Sequence, residues 1–309
     1  MSRGFILNFH RVTDSSWFEK VILFLKSKYI ITGLEYVERS LCDEKALKNS
    51  CTITVDDGDR TFFTHIYPVL IKHQVPVTLF VSPDIMTSGE NFWFQEIAGY
   101  DPKVMKRILS KELAIPWDRM QNLSYKYILK CMSINEIKRI IRIYQEETGT
   151  GRKSSLNMDL DEITEVESSG LVTIGAHTLS HPILKNEDDA SSDHEITGSV
   201  FKLKELLGHE IKFFAYPNGI PGMDFGEREM KYLRKSNITL AVSTRGGYLS
   251  ASDEMLSLPR FGLSSGSIGL FRMKLLAGSK WEMARSVLKP TEEKTRRRVY
   301  LMMIENTLT

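Results

Sequence analysis

Three short stretches of this chain carry side chains that could do chemistry together. The first is Asp56-Asp57-Gly58-Asp59, which follows an apolar run at residues 51–55 that reads as a buried strand. Acidic side chains at the carboxyl end of a parallel strand stand where the sites of α/β barrels are built. Side chains alternate along an extended strand, so both carboxylates reach one pocket only if the backbone bends, and Gly58 permits that bend. Taken alone, the same tetrapeptide would equally serve as a helix N-cap. The second stretch is His177-Thr178-Leu179-Ser180-His181, after the strand-like run at 171–176. Pro182 biases His181 away from helical angles, so the pair belongs to a loop. Two imidazoles and a carboxylate from a neighbouring strand end make a three-ligand metal site with positions left open for water. The third is Phe213-Phe214-Ala215-Tyr216-Pro217-Asn218-Gly219, a strand running into a turn. By itself it is only a turn, but backbone N–H groups in such a place can stabilise an oxyanion.

The elements that must hold these groups are read from hydrophobic periodicity. Residues 4–9 form a short apolar strand ending at His10, and residues 17–28 carry Phe18, Val21, Ile22, Phe24 and Leu25 at helical spacing. A helix over 61–73 joins the strand at 51–55 to another at 77–81, which makes a βαβ unit and a parallel sheet. From about 86 to 156 the pattern turns helical, for example at Ile137, Ile140, Ile141 and Tyr144, and reads as an insertion ending in Thr148-Gly149-Thr150-Gly151. Alternation then resumes with a helix over 159–169, a strand to 176, a helix over 191–207 closed by Gly208, and a strand over 211–215. A helix over 226–236 and a strand over 240–243 complete the series. The last part, about 267–309, looks helical and carries no usable motif. All of this is expected to form a single domain over residues 1–309.

Composition narrows the function classes. Hydrophobic residues at 42% and charged residues at 26% suffice for a sizeable core, which excludes disorder. A net charge of +2 gives no field for steering polyanions, and the one basic run, Lys294-Thr295-Arg296-Arg297-Arg298, reads as a solvated helix end. Nucleic acid is therefore not an expected partner, and contact with an anionic membrane surface is a minority reading. Cys42, Cys51 and Cys131 form no CxxC pair and no disulfide framework. The first ten residues lack the apolar core of a signal peptide, and no stretch is apolar enough to span a bilayer, so a cytoplasmic enzyme is expected, with the inner membrane face as a variant.

Taken in order, the three stretches resemble the NodB-homology polysaccharide deacetylases, carbohydrate esterase family 4. The family pattern of a strand ending in xxDDG, then H-[ST]-x-x-H, then a strand ending in a proline-containing turn corresponds to Val55-Asp56-Asp57-Gly58, His177 to His181, and Tyr216-Pro217-Asn218-Gly219. The likeness covers about residues 4–85 and 157–263. It implies an α/β fold, a distorted (β/α) barrel with an incomplete set of units, interrupted by the helical insertion. It further implies Asp57, His177 and His181 as ligands of a divalent metal, with zinc expected and cobalt, nickel, manganese or iron as alternatives. Asp56 becomes the general base and the Asn218 N–H the oxyanion donor, with Tyr216 and Pro217 at the substrate. Two departures matter. The arginine that many members carry two residues before the motif proline is replaced by Ala215, and no histidine follows His209 to fill the usual late motif. The opening Asn8-Phe9-His10-Arg11-Val12, however, resembles the start of the poly-N-acetylglucosamine deacetylase-like branch. His10 is thus the candidate general acid, and Arg260, in Leu258-Pro259-Arg260-Phe261, the candidate replacement guanidinium.

The expected activity is metal-dependent removal of an acetyl group from an N-acetylated sugar in surface polysaccharide or glycoconjugate biosynthesis. Without a leader, a nucleotide-linked or lipid-linked glycan or an oligosaccharide is the expected partner. In Asn91-Phe92-Trp93-Phe94-Gln95 at the start of the insertion, Trp93 is a candidate for stacking on a sugar ring, although the aromatics could equally pack the insertion onto the barrel. Two rival functions use the same residues: a glycan-binding homologue that has lost catalysis, suggested by Ala215 and the absent late histidine, and a non-haem iron oxygenase, since two histidines and a carboxylate also make a facial triad.

Overall fold

A computed structural model describes residues 4–43, 47–263 and 292–307, with single positions between 266 and 275. Eight strands form one sheet: β1 (Phe5–Phe9), β2 (Ile30–Thr32), β3 (Ser50–Val55), β4 (Val77–Val81), β5 (Val172–Ala176), β6 (Phe213–Ala215), β7 (Leu240–Val242) and β8 (Phe261–Gly262). Every pairing is parallel, in the order β7-β6-β5-β4-β3-β1-β8, with β2 alongside the first half of β3. The sheet closes on itself through residues 258–262. Leu258 donates to Ala241 and accepts from Ser243 at the β7 edge, and Phe261 then pairs with Leu7 of β1. The result is a distorted (β/α) barrel.

β1, β3 and β4 are buried at every position, as strands of a parallel sheet covered on both faces must be. Their outer cover comes from α1 (Ser15–Lys28) and α3 (Tyr67–His73), whereas α2 (Leu34–Cys42) puts Leu34 and Val37 into the cluster on the opposite face, with Ile6 and Phe80. In α1, Phe18, Val21, Ile22 and Leu25 face the core, and Asp14 caps the helix by accepting from the Trp17 N–H at 3.0 Å. β2 and α2 were not foreseen in the sequence. The helix expected over 61–73 is divided: residues Phe62–Ile66 form a π-helical turn and the α-helix begins only at Tyr67. Pro68 accounts for this, because it has no N–H to give to an α-helical turn.

Between β4 and β5 the chain forms α4 (Pro83–Ser88), α5 (Trp93–Glu96), α6 (Pro102–Glu112), α7 (Trp117–Met120), α8 (Tyr125–Leu129) and α9 (Ile134–Thr148). From Trp93 to Tyr144 these helices bury a hydrophobic cluster of their own, distinct from the barrel core. α10 (Leu160–Ser168), α11 (Asp189–Leu207) and α12 (Glu227–Lys235) return to the barrel periphery. α13 (Glu292–Thr307) lies against the insertion, with Val299 in its core. Most of the rest of the expected helical tail, residues 264–291, lies outside the described residues. Among the described residues, no helix is long and apolar enough to cross a membrane.

Candidate active site

The functional loops leave the carboxyl ends of β1, β3, β5 and β6, and their sharp bends explain how neighbouring side chains reach one pocket. Asp57 and Gly58 both take left-handed backbone angles, φ 77° and 68°. Asp tolerates that region and glycine meets no penalty there, so the chain turns abruptly after β3 and presents Asp56 and Asp57 to the same side. The loop after β5 bends in the same manner at Thr178 and His181, φ 62° and 64°. The loop expected at His181 is there, although its backbone is left-handed rather than extended. It is held by the Thr178 hydroxyl, which donates to the His177 carbonyl at 2.6 Å and accepts from the His181 N–H at 3.0 Å.

Asp57 Oδ1 lies 3.4 Å from His177 Nε2 and 3.5 Å from His181 Nε2, and the three side chains are buried. Among the described residues, Asp57 Oδ1 nonetheless has no hydrogen-bond partner. A buried oxygen left without a partner between two imidazole nitrogens is costly unless something else joins them, and this donor set suits a divalent cation. The tautomer of His177 fits as well: its Nδ1–H donates to the Ala215 carbonyl at 2.6 Å, which leaves the Nε2 lone pair facing Asp57. Burial pulls the His177 pKa down, but the carboxylates of Asp57 and Asp56 outweigh it and the net shift is upward. Burial and the neighbouring His177 together push His181 down to about 3, so this imidazole is a free base and a ready ligand.

Asp56 sits in a different environment. Arg260, 1% exposed, grips it with both arms, Nη1 to Oδ1 at 2.8 Å and Nη2 to Oδ2 at 2.9 Å. Asn8 Nδ2 adds a third donor at 2.9 Å, and His10 Nε2 lies 3.8 Å from Oδ2 with half of its side chain in solvent. Burial alone would raise the Asp56 pKa, but Arg260, His177 and His10 outweigh it and hold the carboxyl below its ordinary value. The guanidinium is itself anchored, donating to the Ser243 carbonyl at 3.0 Å and the Thr54 hydroxyl at 3.1 Å.

After β6, Asn218 is left-handed, φ 59°, and its N–H has no acceptor among the described residues. The three residues expected to contact substrate are all buried. Tyr216 is 1% exposed, stacks on Phe225 at 3.5 Å and donates its hydroxyl to the Leu256 carbonyl. It is a core residue with no surface to offer a sugar. Pro217 is likewise buried. Trp93 packs into the insertion core and donates its indole N–H to the His181 carbonyl at 3.2 Å, while Phe92 and Phe94 set their edges against the His181 ring at 5.2 and 5.0 Å. The aromatic triplet therefore walls and steadies a metal-ligand candidate.

Some contributors went unread. Asn8 had a signal, as the lone amide in the apolar run Phe5–Phe9. Glu195, buried in α11, had none. It accepts from the N–H and the hydroxyl of Ser180 at 2.9 and 2.6 Å, and so ties down the histidine loop.

A family model described as polysaccharide deacetylase matches residues 43–239, well over half of the chain. The chain belongs to the polysaccharide deacetylase family. The match takes in Asp56, Asp57, His177, His181 and Asn218, and leaves out His10 and Arg260, which reach the same pocket from either side of it in sequence. Among solved structures, this polysaccharide deacetylase is similar in fold to IcaB from Ammonifex degensii, at 18% identity and TM-score 0.59, over 89% of this chain and 97% of that one. It is also similar to a de-N-acetylase from Aggregatibacter actinomycetemcomitans, at 14% identity and TM-score 0.58, over 88% and 99%. The Streptococcus pyogenes deacetylase PplD in complex with acetate matches at 17% identity and TM-score 0.55, over 85% and 92%. No curated protein sequence matches the chain.

Proposed function

We propose that this polysaccharide deacetylase is a metal-dependent hydrolase that removes the acetyl group of an N-acetylated sugar, with Asp57, His177 and His181 as ligands. The observation that carries the reading is Asp57 Oδ1 standing unpartnered 3.4 and 3.5 Å from two imidazole nitrogens, beside a second carboxylate engaged by an arginine. A divalent metal held there, zinc for preference, supplies Lewis acidity for the acetyl carbonyl and lowers the pKa of water.

The protein's own groups do the rest. Asp56 takes the proton of the attacking water; Arg260 and Asn8 fix the direction of its lone pairs. The Asn218 N–H donates to the carbonyl oxygen as negative charge develops on it. An amine is a poor leaving group until protonated, and His10, at the solvent edge of the pocket and 3.8 Å from Asp56, donates that proton. Placing the acid on the loop after β1 supports kinship with the poly-N-acetylglucosamine deacetylase-like branch. For the substrate we favour a nucleotide- or lipid-linked glycan or an oligosaccharide of cytoplasmic surface-polysaccharide biosynthesis.

The test is acetate release from chitooligosaccharides, free N-acetylated sugars and nucleotide sugars, using chelated protein and protein restored with zinc or cobalt, beside Asp56→Asn. Metal-dependent release that the substitution abolishes, with metal stoichiometry kept, supports the reading. Metal and glycan binding without acetate release from any of them would mark a binding protein instead.

A further inference from the structure

The side chain of Asn218 is clamped at both ends, by a residue of the insertion and by one of its own loop that α13 holds in turn. Its Oδ1 accepts from Lys130 Nζ at 2.6 Å, at the end of α8 in the insertion. Its Nδ2 donates to Asp224 Oδ2 at 2.6 Å, and that oxygen also accepts from the Ile220 N–H at 2.8 Å. The other Asp224 oxygen is held at 2.5 Å by Arg296 of α13. Arg296 is 3% exposed, so the basic run expected to be a solvated helix end instead sends one arginine inward. The two clamps are cross-linked. Arg296 Nη2 donates to the Lys130 carbonyl at 3.0 Å, and Lys130 Nζ also donates to Glu292 Oε1 at 2.5 Å. Asn186, beyond the histidine loop, grips the Lys130 carbonyl as well, at 3.0 Å.

We infer that Lys130 and Arg296 are positioning residues for the reaction: through the side chain of Asn218 they hold its backbone in the left-handed conformation that leaves its N–H without an internal acceptor. A left-handed non-glycine residue persists only where its surroundings over-determine it. Here the surroundings are four charged groups on three separate parts of the chain, Lys130 on the insertion, Asp224 after β6, and Glu292 and Arg296 on α13. Among the described residues, none of them makes a hydrogen bond or ion pair with Asp56, Asp57, His177 or His181, so their influence on chemistry runs through Asn218. The inference rests on the reading of the Asn218 amide as the oxyanion donor.

The experiment joins two measurements on the full chain. Amide hydrogen exchange at Gly219 and Ile220, whose N–H groups are both hydrogen-bonded, is followed by NMR in the wild type, Lys130→Met, Arg296→Lys and Arg296→Ala. Steady-state hydrolysis of 4-nitrophenyl acetate and a chitooligosaccharide is followed in the same proteins. Lys130→Met is the variant expected to fold in any case, since Lys130 is half-buried and methionine keeps most of its stem. Expected are faster exchange at these two amides, with strand amides unchanged, and a fall in kcat of about 10- to 100-fold at constant KM and metal content. Arg296→Lys should fall between Arg296→Ala and the wild type. In an Asn218→Ala background, Lys130→Met should have no further effect. Unchanged exchange, or a full Lys130→Met effect in the Asn218→Ala background, overturns the inference. Faster exchange with unchanged kcat keeps the clamp as structure but removes the Asn218 amide from the chemistry, which overturns the positioning role. If even the wild type releases no acetate, the proposed function fails, and exchange alone then decides whether the clamp exists.

Discussion

Arg260→Met tests how the pocket keeps a buried carboxylate ionised. Methionine roughly fills the space of the arginine stem, so the loss is electrostatic: donors to both oxygens of Asp56, to Thr54 and to the Ser243 carbonyl disappear, and Asp56 keeps only Asn8 at 2.9 Å and His10 at 3.8 Å. Removing one partner of a buried pair costs about 3–5 kcal/mol, because the other charge stays behind unpaired. At roughly 2–4 °C per kcal/mol, the Tm should fall by about 10 °C. The sign of the pH dependence follows from the depressed Asp56 pKa. The pair stabilises the fold above the ordinary carboxylate range and ceases to do so only as pH falls through the lowered folded value. The Tm gap between wild type and variant should therefore be widest near neutrality and narrow in acid. With the arginine gone, burial, which raises the Asp56 pKa, is opposed mainly by His177 and His10. The acidic limb of the kcat/KM profile for acetate release should then move to higher pH. Arg260→Lys keeps the charge but not the two-armed grip and should fall between the two. The assays are melting curves across a pH series and a pH–rate profile on a chitooligosaccharide. A Tm within a degree of wild type together with an unmoved acidic limb would refute the assignment of Arg260 as the group that holds Asp56 ionised.

Two other substitutions separate the remaining roles. His10→Ala should lower acetate release from an N-acetylated sugar by about 100- to 10,000-fold while barely changing hydrolysis of 4-nitrophenyl acetate, whose leaving group needs no proton; equal losses on both substrates would count against His10 as the acid. Trp93→Phe removes the donor to the His181 carbonyl and should weaken zinc affinity by up to about 10- to 100-fold, read by competition with a chelating dye, and leave KM for the sugar nearly unchanged. A raised KM with intact zinc affinity would return Trp93 to the substrate side.

How far the sequence could be read depended on whether the information was local. The metal-ligand candidates and Asp56 were legible because each lies directly after a strand whose apolar run is plain, and because glycine and proline mark the bends. Arg260 was legible only as a vacancy to be filled: it lies 204 residues from Asp56, and nothing local says that residues 258–262 close the barrel beside β1. Tyr216 misled because a tyrosine next to a functional turn suggests a ligand contact, whereas its orientation is decided by Phe225 and the Leu256 carbonyl, whose approach no periodicity reveals. Arg296 misled for the opposite reason. Its neighbours Arg297 and Arg298 are exposed, and only the buried Asp224 distinguishes it from them.

Eight non-glycine residues among those described have left-handed backbones, and Asp57, Thr178, His181 and Asn218 are half of them. Each such residue carries a conformational cost of the order of 1 kcal/mol or more, greatest for a β-branched one such as Thr178. Glycine would remove that cost at Thr178 and Asn218, but with it the hydroxyl and the amide whose hydrogen bonds hold the two loops. Heat tolerance and the shape of the pocket are therefore coupled at these positions, since the side chains that offset the strained backbone are the ones that fix the loops. Attempts to harden this enzyme are better aimed at the exposed helix surfaces, where no loop is bent to hold a reacting group.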